Sequence, residues 1–271
     1  MADAVTVAPR GPVAAALDDT VTVFVRQALP TLRSPSGLVF GMLQPLVFLA
    51  LFGPLLDGTG TTEAFGLGDA GGDTWQWFVP GVLIMLALFG TTGTGYMLLT
   101  EMQTGSHERL LVTPVGRTAM LAGRTLNDVA TLVAQAVLIV AVMVPFGFDL
   151  HLPGALLGLG VLAVLGVALG ALSHALAIAC REQQESFYMI QSSIQFPLLF
   201  LSGLMLPLEA APGWMEAAGR LNPLTYVVEA LRALFDGRVV VGDVGWGVAV
   251  VAALAGVGLA VGTRAMRRAN A

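Results

Sequence analysis

Residues 150–180 read LHLPGALLGLGVLAVLGVALGALSHALAIAC and contain no Asp, Glu, Lys or Arg. An α-helix rises about 1.5 Å per residue, so roughly 20 residues cross a hydrocarbon core that is roughly 30 Å thick. This stretch is longer than that and is bounded by Asp149 and Arg181. It therefore predicts a helix that spans a membrane.

Five other uncharged windows meet the same length. Together the six windows predict transmembrane helices at about 36–56, 75–100, 122–147, 152–180, 186–207 and 244–263. The alternative is that some windows are buried helices of a soluble core. However, 11% of the 271 residues are charged and 56% are hydrophobic, which leaves too little polar surface to cover such a core. The sequence therefore predicts an all-α integral membrane protein, in which residues 34–271 form one six-helix domain.

The arginines predict how the chain lies in the membrane. All 13 basic residues are Arg, and six spans place both termini on one side. Ten arginines fall on that side, whereas Arg220, Arg232 and Arg238 fall on the other. The positive-inside bias therefore predicts cytoplasmic termini. Residues 1–14 contain no apolar segment and are predicted to form a disordered cytoplasmic tail.

The composition also excludes several classes of function. A phosphate-binding loop of the form GxxxxGK[ST] cannot be written without lysine, so this chain is not itself a P-loop ATPase. One cysteine and three scattered histidines provide no spacing for a metal site. A net charge of −5 disfavours nucleic acid as a partner. An intramembrane enzyme that uses His174 or Glu229 is disfavoured because the sequence contains no Ser/His/Asp or paired-carboxylate set.

Residues 15–33 predict an amphipathic helix ahead of the first span. Apolar residues follow helical spacing at Val21, Phe24, Val25, Ala28, Leu29 and Leu32. Arg26 and Arg33 lie on the other face. The segment is too short and too charged to cross a bilayer, so we expect it to lie at the cytoplasmic interface. A soluble helix packed against another protein is the alternative interpretation.

The inner segment from Glu101 to Asp128 is the most charged internal stretch on the cytoplasmic side. Proline geometry ends a short helix at Thr113, and a second helix is expected to start near Arg117. Composition alone fits a docking helix for a partner and a solvated turn equally well.

The outer segment NPLTYVVEALRALF at 222–235 predicts a short helix. Asn222 is its expected N-cap, with Pro223 at the first helical position. Its expected apolar face consists of Leu224, Val227, Val228, Leu231 and Leu234. Because this helix is too short to cross the membrane, we expect a re-entrant or lid element at the outer mouth of the bundle.

Polar and small residues within the spans carry further information. Gln191 and Gln195 share one helix face with Tyr188, and at membrane depth they need a hydrogen-bond partner or a wet cavity. Cavity lining and interhelical hydrogen bonding are equally compatible with this pattern. Three GxxxG pairs predict close approach of helix backbones: Gly154 with Gly158, Gly166 with Gly170, and Gly258 with Gly262.

As a whole, this pattern resembles an ABC-2 type permease, the membrane subunit of a bacterial ABC exporter, and particularly the daunorubicin-resistance-like branch. Four segments carry the resemblance: VRQALPTLRSP at 25–35, GSHERLLVTPVGR at 105–117, FPLLFLSGLMLPLEAAPGW at 196–214 and NPLTYVVEALRALF at 222–235. The resemblance implies a multi-pass protein of the bacterial cytoplasmic membrane that pairs with a second permease copy, as a homodimer or heterodimer. It also implies two ATPase subunits that bind ATP and Mg, with no cofactor on this chain.

The resemblance implies outward transport of a small hydrophobic or amphiphilic compound, such as a drug, across the lipid bilayer by alternating access. Export of a polysaccharide or lipid-linked glycan is the alternative within the family, and a non-transporting membrane scaffold is the alternative outside it. The resemblance and the polar residues of the spans together predict three sets of functional residues. Contact with the ATPase is expected at Arg26, Arg33, Glu101, His107, Glu108, Arg109, Leu110, Pro114 and Arg117. The substrate cavity is expected to be lined by Gln44, Phe48, Met85, Thr92, Gln191, Gln195 and Phe196. The outer gate is expected to contain Asn222, Pro223, Tyr226, Glu229 and Arg232.

Overall fold

The computed structural model describes residues 12–33, 36–58, 74–105, 116–204, 211–237 and 241–268. These ranges contain α-helices α1 (Pro12–Arg33), α2 (Ser36–Gly58), α3 (Thr74–Gln103), α4 (Arg117–Met143), α5 (Leu152–Ala179), α6 (Gln184–Phe200), α7 (Gly213–Leu221), α8 (Pro223–Phe235) and α9 (Val241–Arg268). A short 3-10 helix, Val144–Phe146, extends α4. The described part of the chain contains no strand, which agrees with the all-α prediction.

Helices occupy all six predicted windows, and four of them are long and apolar enough to cross a membrane among the residues described. These four are α3, α4, α5 and α9. The apolar stretch found in α2 is shorter, Gly37–Phe52. Helix α6 has 17 residues, which is fewer than the roughly 20 that a straight crossing needs.

The prediction that the fifth helix continues to residue 207 is wrong. Helix α6 ends at Phe200, and a turn follows in which Gly203 adopts a φ of 67°. Glycine tolerates this left-handed conformation and often follows the end of a helix for that reason. The sequence LSG at 201–203 was therefore a helix stop rather than part of a span.

The structure also defines where two further helices start. Helix α1 begins at Pro12 and so includes the last three residues of the predicted disordered tail, and proline suits the first turn of a helix. Residues 1–11 lie outside the described residues. Helix α4 begins at Arg117, which confirms the start predicted for the second helix of the inner segment.

Helix α3 lies at the centre of the bundle and contacts α2, α4, α5, α6 and α8. Its residues from Phe78 to Leu88 are all buried. A helix that is apolar on every side lies either in a protein core or in lipid, and here the neighbouring helices cover this stretch.

The predicted close approach of helix backbones is confirmed where α9 and α8 meet α5. A Cβ atom on Gly258 would lie 2.5 Å from the carbonyl oxygen of Ala168. A Cβ atom on Gly154 would collide with the carbonyl oxygen of Leu234. Glycine at these positions lets helix backbones pack directly against each other.

Candidate functional site

Polar and aromatic side chains of α3 and α6 meet on one surface of the bundle. The Thr92 hydroxyl donates a hydrogen bond to Oε1 of Gln195 over 3.0 Å. One helical turn away, the rings of Phe89 and Phe196 meet edge to face with their centroids 6.3 Å apart. Gln195 is 5% exposed, and its Nε2 has no acceptor among the residues described. This surface therefore contains a buried amide that the chain satisfies on one side only.

The same surface continues toward the start of α6. The rings of Tyr96 and Tyr188 lie 5.2 Å apart, and Gln191 is half-buried. Large exposed apolar side chains surround these groups on α6: Met189, Ile190, Ile194, Phe196 and Phe200. The structure thus brings Thr92, Gln195 and Phe196 together, as the predicted cavity requires, within a mainly apolar surface.

The other predicted cavity residues lie elsewhere. Met85 is fully buried in the core, so it does not share this surface. Phe48 on α2 is half-buried and stacks on Phe52 with centroids 5.2 Å apart. Gln44 is exposed on the same helix.

At one end of the bundle, Arg232 of α8 connects three parts of the chain; we call this the Arg232 end. Its Nε donates to the carbonyl oxygen of Trp77 over 3.1 Å, and Nη2 donates to those of Gly203 and Leu204 over 3.1 and 3.2 Å. The guanidinium carbon lies 3.8 Å from the centre of the Trp77 ring, which places the charge over the aromatic face. Arg232 therefore joins α8 to the start of α3 and to the turn after α6.

Two further side chains of α8 and its cap bind the end of α6. Asn222 donates through Nδ2 to the carbonyl oxygen of Leu198 over 2.8 Å, and its Oδ1 accepts from the backbone N–H of Leu224 over 3.0 Å. The Thr225 hydroxyl donates to the carbonyl oxygen of Gly219 on α7 over 2.8 Å, and the carbonyl oxygen of Leu201 lies 3.3 Å away as a weaker second acceptor. The last carbonyl groups of a helix have no partner within it, so α8 supplies donors that α6 itself lacks.

The N-cap and apolar face predicted for the outer helix are confirmed, and the apolar face is fully buried. Of the remaining gate candidates, Tyr226 donates its hydroxyl hydrogen to the carbonyl oxygen of Arg220 on α7 over 2.9 Å. Pro223 is half-buried at the first helical position and Glu229 is exposed. Sequence reasoning missed Thr225, a polar residue on an otherwise apolar face.

At the opposite end of the bundle, Glu101 of α3 and Arg124 of α4 form an ion pair; we call this the Glu101 end. Arg124 is 3% exposed. Close by, Oδ2 of Asp128 lies 3.4 Å from Nε2 of His174 on α5. An isolated charge at this depth would be costly, and the Glu101–Arg124 pair offsets part of that cost while it joins α3 to α4.

Helix α1 packs on the start of α4 at the same end. The backbone N–H of Gly116, the N-cap of α4, donates to the Asp19 carboxylate over 3.0 Å. Val23 packs so closely against Gly123 that a Cβ there would lie 2.7 Å from the Cβ of Val23. Sequence reasoning did not select Asp19, Arg124 or Asp128, because their partners are distant in the sequence.

Only some of the predicted ATPase contacts lie among the residues that the structure describes. His107, Glu108, Arg109, Leu110 and Pro114 lie outside the described residues. Arg26 and Arg33 are exposed on α1, and Arg117 is the first residue of α4. Of the predicted set, Glu101 is the residue that the structure joins to a second helix, through Arg124.

Comparison with known proteins identifies the family. The family described as "ABC-2 type transporter" matches residues 19–235. The chain is 30% identical over 263 residues to the daunorubicin resistance ABC transporter permease protein DrrB1 of Streptomyces coeruleorubidus, which covers 95% of this chain and 89% of that protein. It is 31% identical over 196 residues to the probable doxorubicin resistance ABC transporter permease protein DrrC of Mycobacterium tuberculosis, with coverage of 69% and 68%. It is 28% identical over 207 residues to the putative transport permease ycf38 of Cyanophora paradoxa, with coverage of 75% and 69%. Together with the membrane-length helices of the fold, these matches show that the chain belongs to the ABC-2 type transporter family.

Proposed function

We propose that this chain is the permease subunit of an ATP-binding-cassette exporter, which moves a hydrophobic or amphiphilic compound out of a bacterial cell by alternating access. Two copies of a separate ATPase subunit bind ATP and Mg and drive the cycle. The permease acts as a dimer with a second copy or with a related chain. Relatives that are named for daunorubicin and doxorubicin resistance support this substrate class.

The proposed topology has six spans, with both termini in the cytoplasm. Helices α2 and α6 are the two spans added to the four of membrane length. Helix α1 lies at the cytoplasmic interface, where its exposed Val21, Val25 and Leu29 would face lipid. Helices α7 and α8 are re-entrant elements at the outer mouth. The burial of the apolar face of α8 against α3, α5 and α9 supports that assignment.

The observation that carries the proposal is the Thr92–Gln195 pair within the surface of α3 and α6. A buried N–H group without an acceptor costs about 1–3 kcal/mol, and Nε2 of Gln195 is such a group among the residues described. A bound compound with a carbonyl or hydroxyl oxygen would supply the missing acceptor. The neighbouring Phe196 and Tyr188 would contact its apolar part.

The proposal is tested with inside-out vesicles that contain the chain and its ATPase subunit. We expect ATP-dependent accumulation of daunorubicin, followed by its fluorescence, and no accumulation with an ATPase variant that binds but does not hydrolyse ATP. Movement of a lipid-linked glycan without any amphiphile would reject drug export in favour of the other branch of the family. Repeated purification of the chain without an ATPase would favour the scaffold.

On this proposal, the inner loop transmits the ATPase movement through Glu108 and Arg109. Reversal of both charges is expected to uncouple ATPase stimulation from transport while the subunits still copurify. Unchanged transport would remove these two residues from the coupling role.

A further inference from the structure

A cavity lies at the Glu101 end of the bundle, between α1 and helices α2 to α5. Its volume is about 570 Å³, within the range of roughly 300–1,000 Å³ that is typical of small-molecule sites. Pro30, Leu38 and Met97 provide apolar walls. The cavity is separate from the Thr92–Gln195 surface and has no part in the proposed transport path.

Two groups of opposite charge line this cavity and do not contact each other. The side chain of Arg26 makes no ion pair or hydrogen bond with a described residue. The Asp128 side chain is 13% exposed. Its Oδ2 lies 3.4 Å from Nε2 of His174. Glu101 also lines the cavity, but Arg124 already neutralises it.

Two buried side chains in the cavity wall also have polar atoms without partners. Arg124 and His174 are 3% and 2% exposed. Nε of Arg124 and Nδ1 of His174 have no hydrogen-bond partner among the residues described. Buried polar atoms of this kind are normally satisfied, so an occupant with polar groups fits the cavity better than an acyl chain alone.

An apolar groove adjoins the cavity. It is lined by Thr22, Val25, Leu29 and Arg33 of α1, together with Arg26 and Pro30, which it shares with the cavity. Its volume is about 650 Å³. A molecule with a polar head in the cavity could therefore extend its apolar tail along α1.

We propose that the cavity binds the head group of a phosphatidylethanolamine-type lipid, with its phosphate at Arg26 and its ammonium at Asp128. A purely cationic head would be repelled by Arg26, and a purely anionic head by Asp128. A primary ammonium donates hydrogen bonds to a carboxylate, whereas a trimethylammonium does not. The acyl chains lie in the groove along α1 and fix that helix to the bundle through the lipid.

The inference goes beyond the proposed transport function, because lipid binding needs neither an ATPase nor a transported compound. It is tested on the full-length chain in mild detergent by native mass spectrometry. Four lipids with identical acyl chains are titrated: phosphatidylethanolamine, phosphatidylcholine, phosphatidic acid and a diacyl trimethylammonium lipid. We expect phosphatidylethanolamine to bind at least about tenfold more tightly than the other three, which is the effect of one charge-assisted hydrogen bond.

Single substitutions test which residues contact the lipid head group. Arg26→Gln and Asp128→Asn are each expected to weaken phosphatidylethanolamine binding about tenfold. The matched control is Arg264→Gln, an exposed arginine on α9 that does not line the cavity, and its affinity should equal that of the wild type. If Asp128→Asn does not fold, the exposed Arg26→Gln variant and the comparison of head groups still decide the result.

Three outcomes would overturn the inference. Equal binding of all four lipids would show ordinary solvation by lipid. Preference for phosphatidic acid, with no effect of Asp128→Asn, would reduce the site to an anion contact at Arg26. Free phosphoethanolamine that competes with the lipid at equal concentration would show a site for a soluble head group rather than for a lipid.

Discussion

Replacement of Arg232 by Met tests whether α8 stabilises the Arg232 end of the bundle. Methionine retains much of the apolar stem and removes the guanidinium. The backbone carbonyl groups of Gly203 and Leu204 would then lose the donor that Arg232 provides. The Trp77 ring would lose the charge above it.

The magnitude follows from these contacts. Hydrogen bonds that involve a charged group contribute about 1.5–3 kcal/mol each, and a cation–π contact contributes about 0.5–2 kcal/mol. Because Arg232 is only half-buried, water replaces part of the lost bonding. We therefore expect a loss of about 2–4 kcal/mol in unfolding free energy. At about 2–4 °C per kcal/mol for a chain of this size, this corresponds to a fall in Tm of roughly 4–16 °C.

The assay is thermal unfolding of the purified chain in one detergent, followed by fluorescence-detected size exclusion. Arg220→Met is the matched control, because Arg220 is an exposed arginine of α7 whose partner is Glu216, four residues earlier. An exposed pair of this kind contributes about 0–1 kcal/mol. If Arg232→Met lowered Tm no more than Arg220→Met does, the contacts to α3 and α6 would not hold this end together.

Three further predictions concern other contacts. Gly258→Val should lower Tm by several degrees, because its side chain meets the backbone of Ala168, whereas Gly256→Val enters open space and should have little effect; equal effects would refute the backbone contact. A double-mutant cycle of Glu101→Gln and Arg124→Met should give a coupling energy of about 2 kcal/mol, which is less than that of a fully buried pair because Glu101 is 30% exposed; a coupling energy near zero would contradict the pairing. Gln195→Leu should leave Tm within a few degrees but lower transport several-fold in the vesicle assay, because it removes an amide with an unsatisfied N–H; unaltered transport would remove Gln195 from the site.

Local signals in the sequence were sufficient to predict much of the fold. Uncharged length predicted where helices lie, and Asn222 with Pro223 predicted the start of α8, because a cap acts on backbone groups two residues away. The apolar face of α8 followed from its helical spacing in the same way. Each of these inferences depends on contacts within one or two helical turns.

The pairings between helices could not be predicted in this way. In the sequence, Arg124 contributed only to the number of arginines on the predicted cytoplasmic side. In the structure, it pairs with a residue 23 positions earlier. Arg232 binds the carbonyl oxygen of a residue 155 positions away. No periodicity encodes such a partner, since it depends on how the helices pack. The end of α6 was missed because the apolar character of residues 201–207 outweighed the stop signal at Gly203.

Helix α3 is bound to other helices at both of its ends. Near its start, the carbonyl oxygen of Trp77 accepts from Arg232 of α8, and near its end Glu101 pairs with Arg124 of α4. Between these residues, the buried stretch Phe78–Leu88 is packed on all sides, and a close-packed interior resists compression. A displacement of α4 at the Glu101 end must therefore move α3 as a rod or break the Glu101–Arg124 pair. Since α8 is joined to the other end of the same rod, α3 mechanically connects the Glu101 end of the bundle with the Arg232 end.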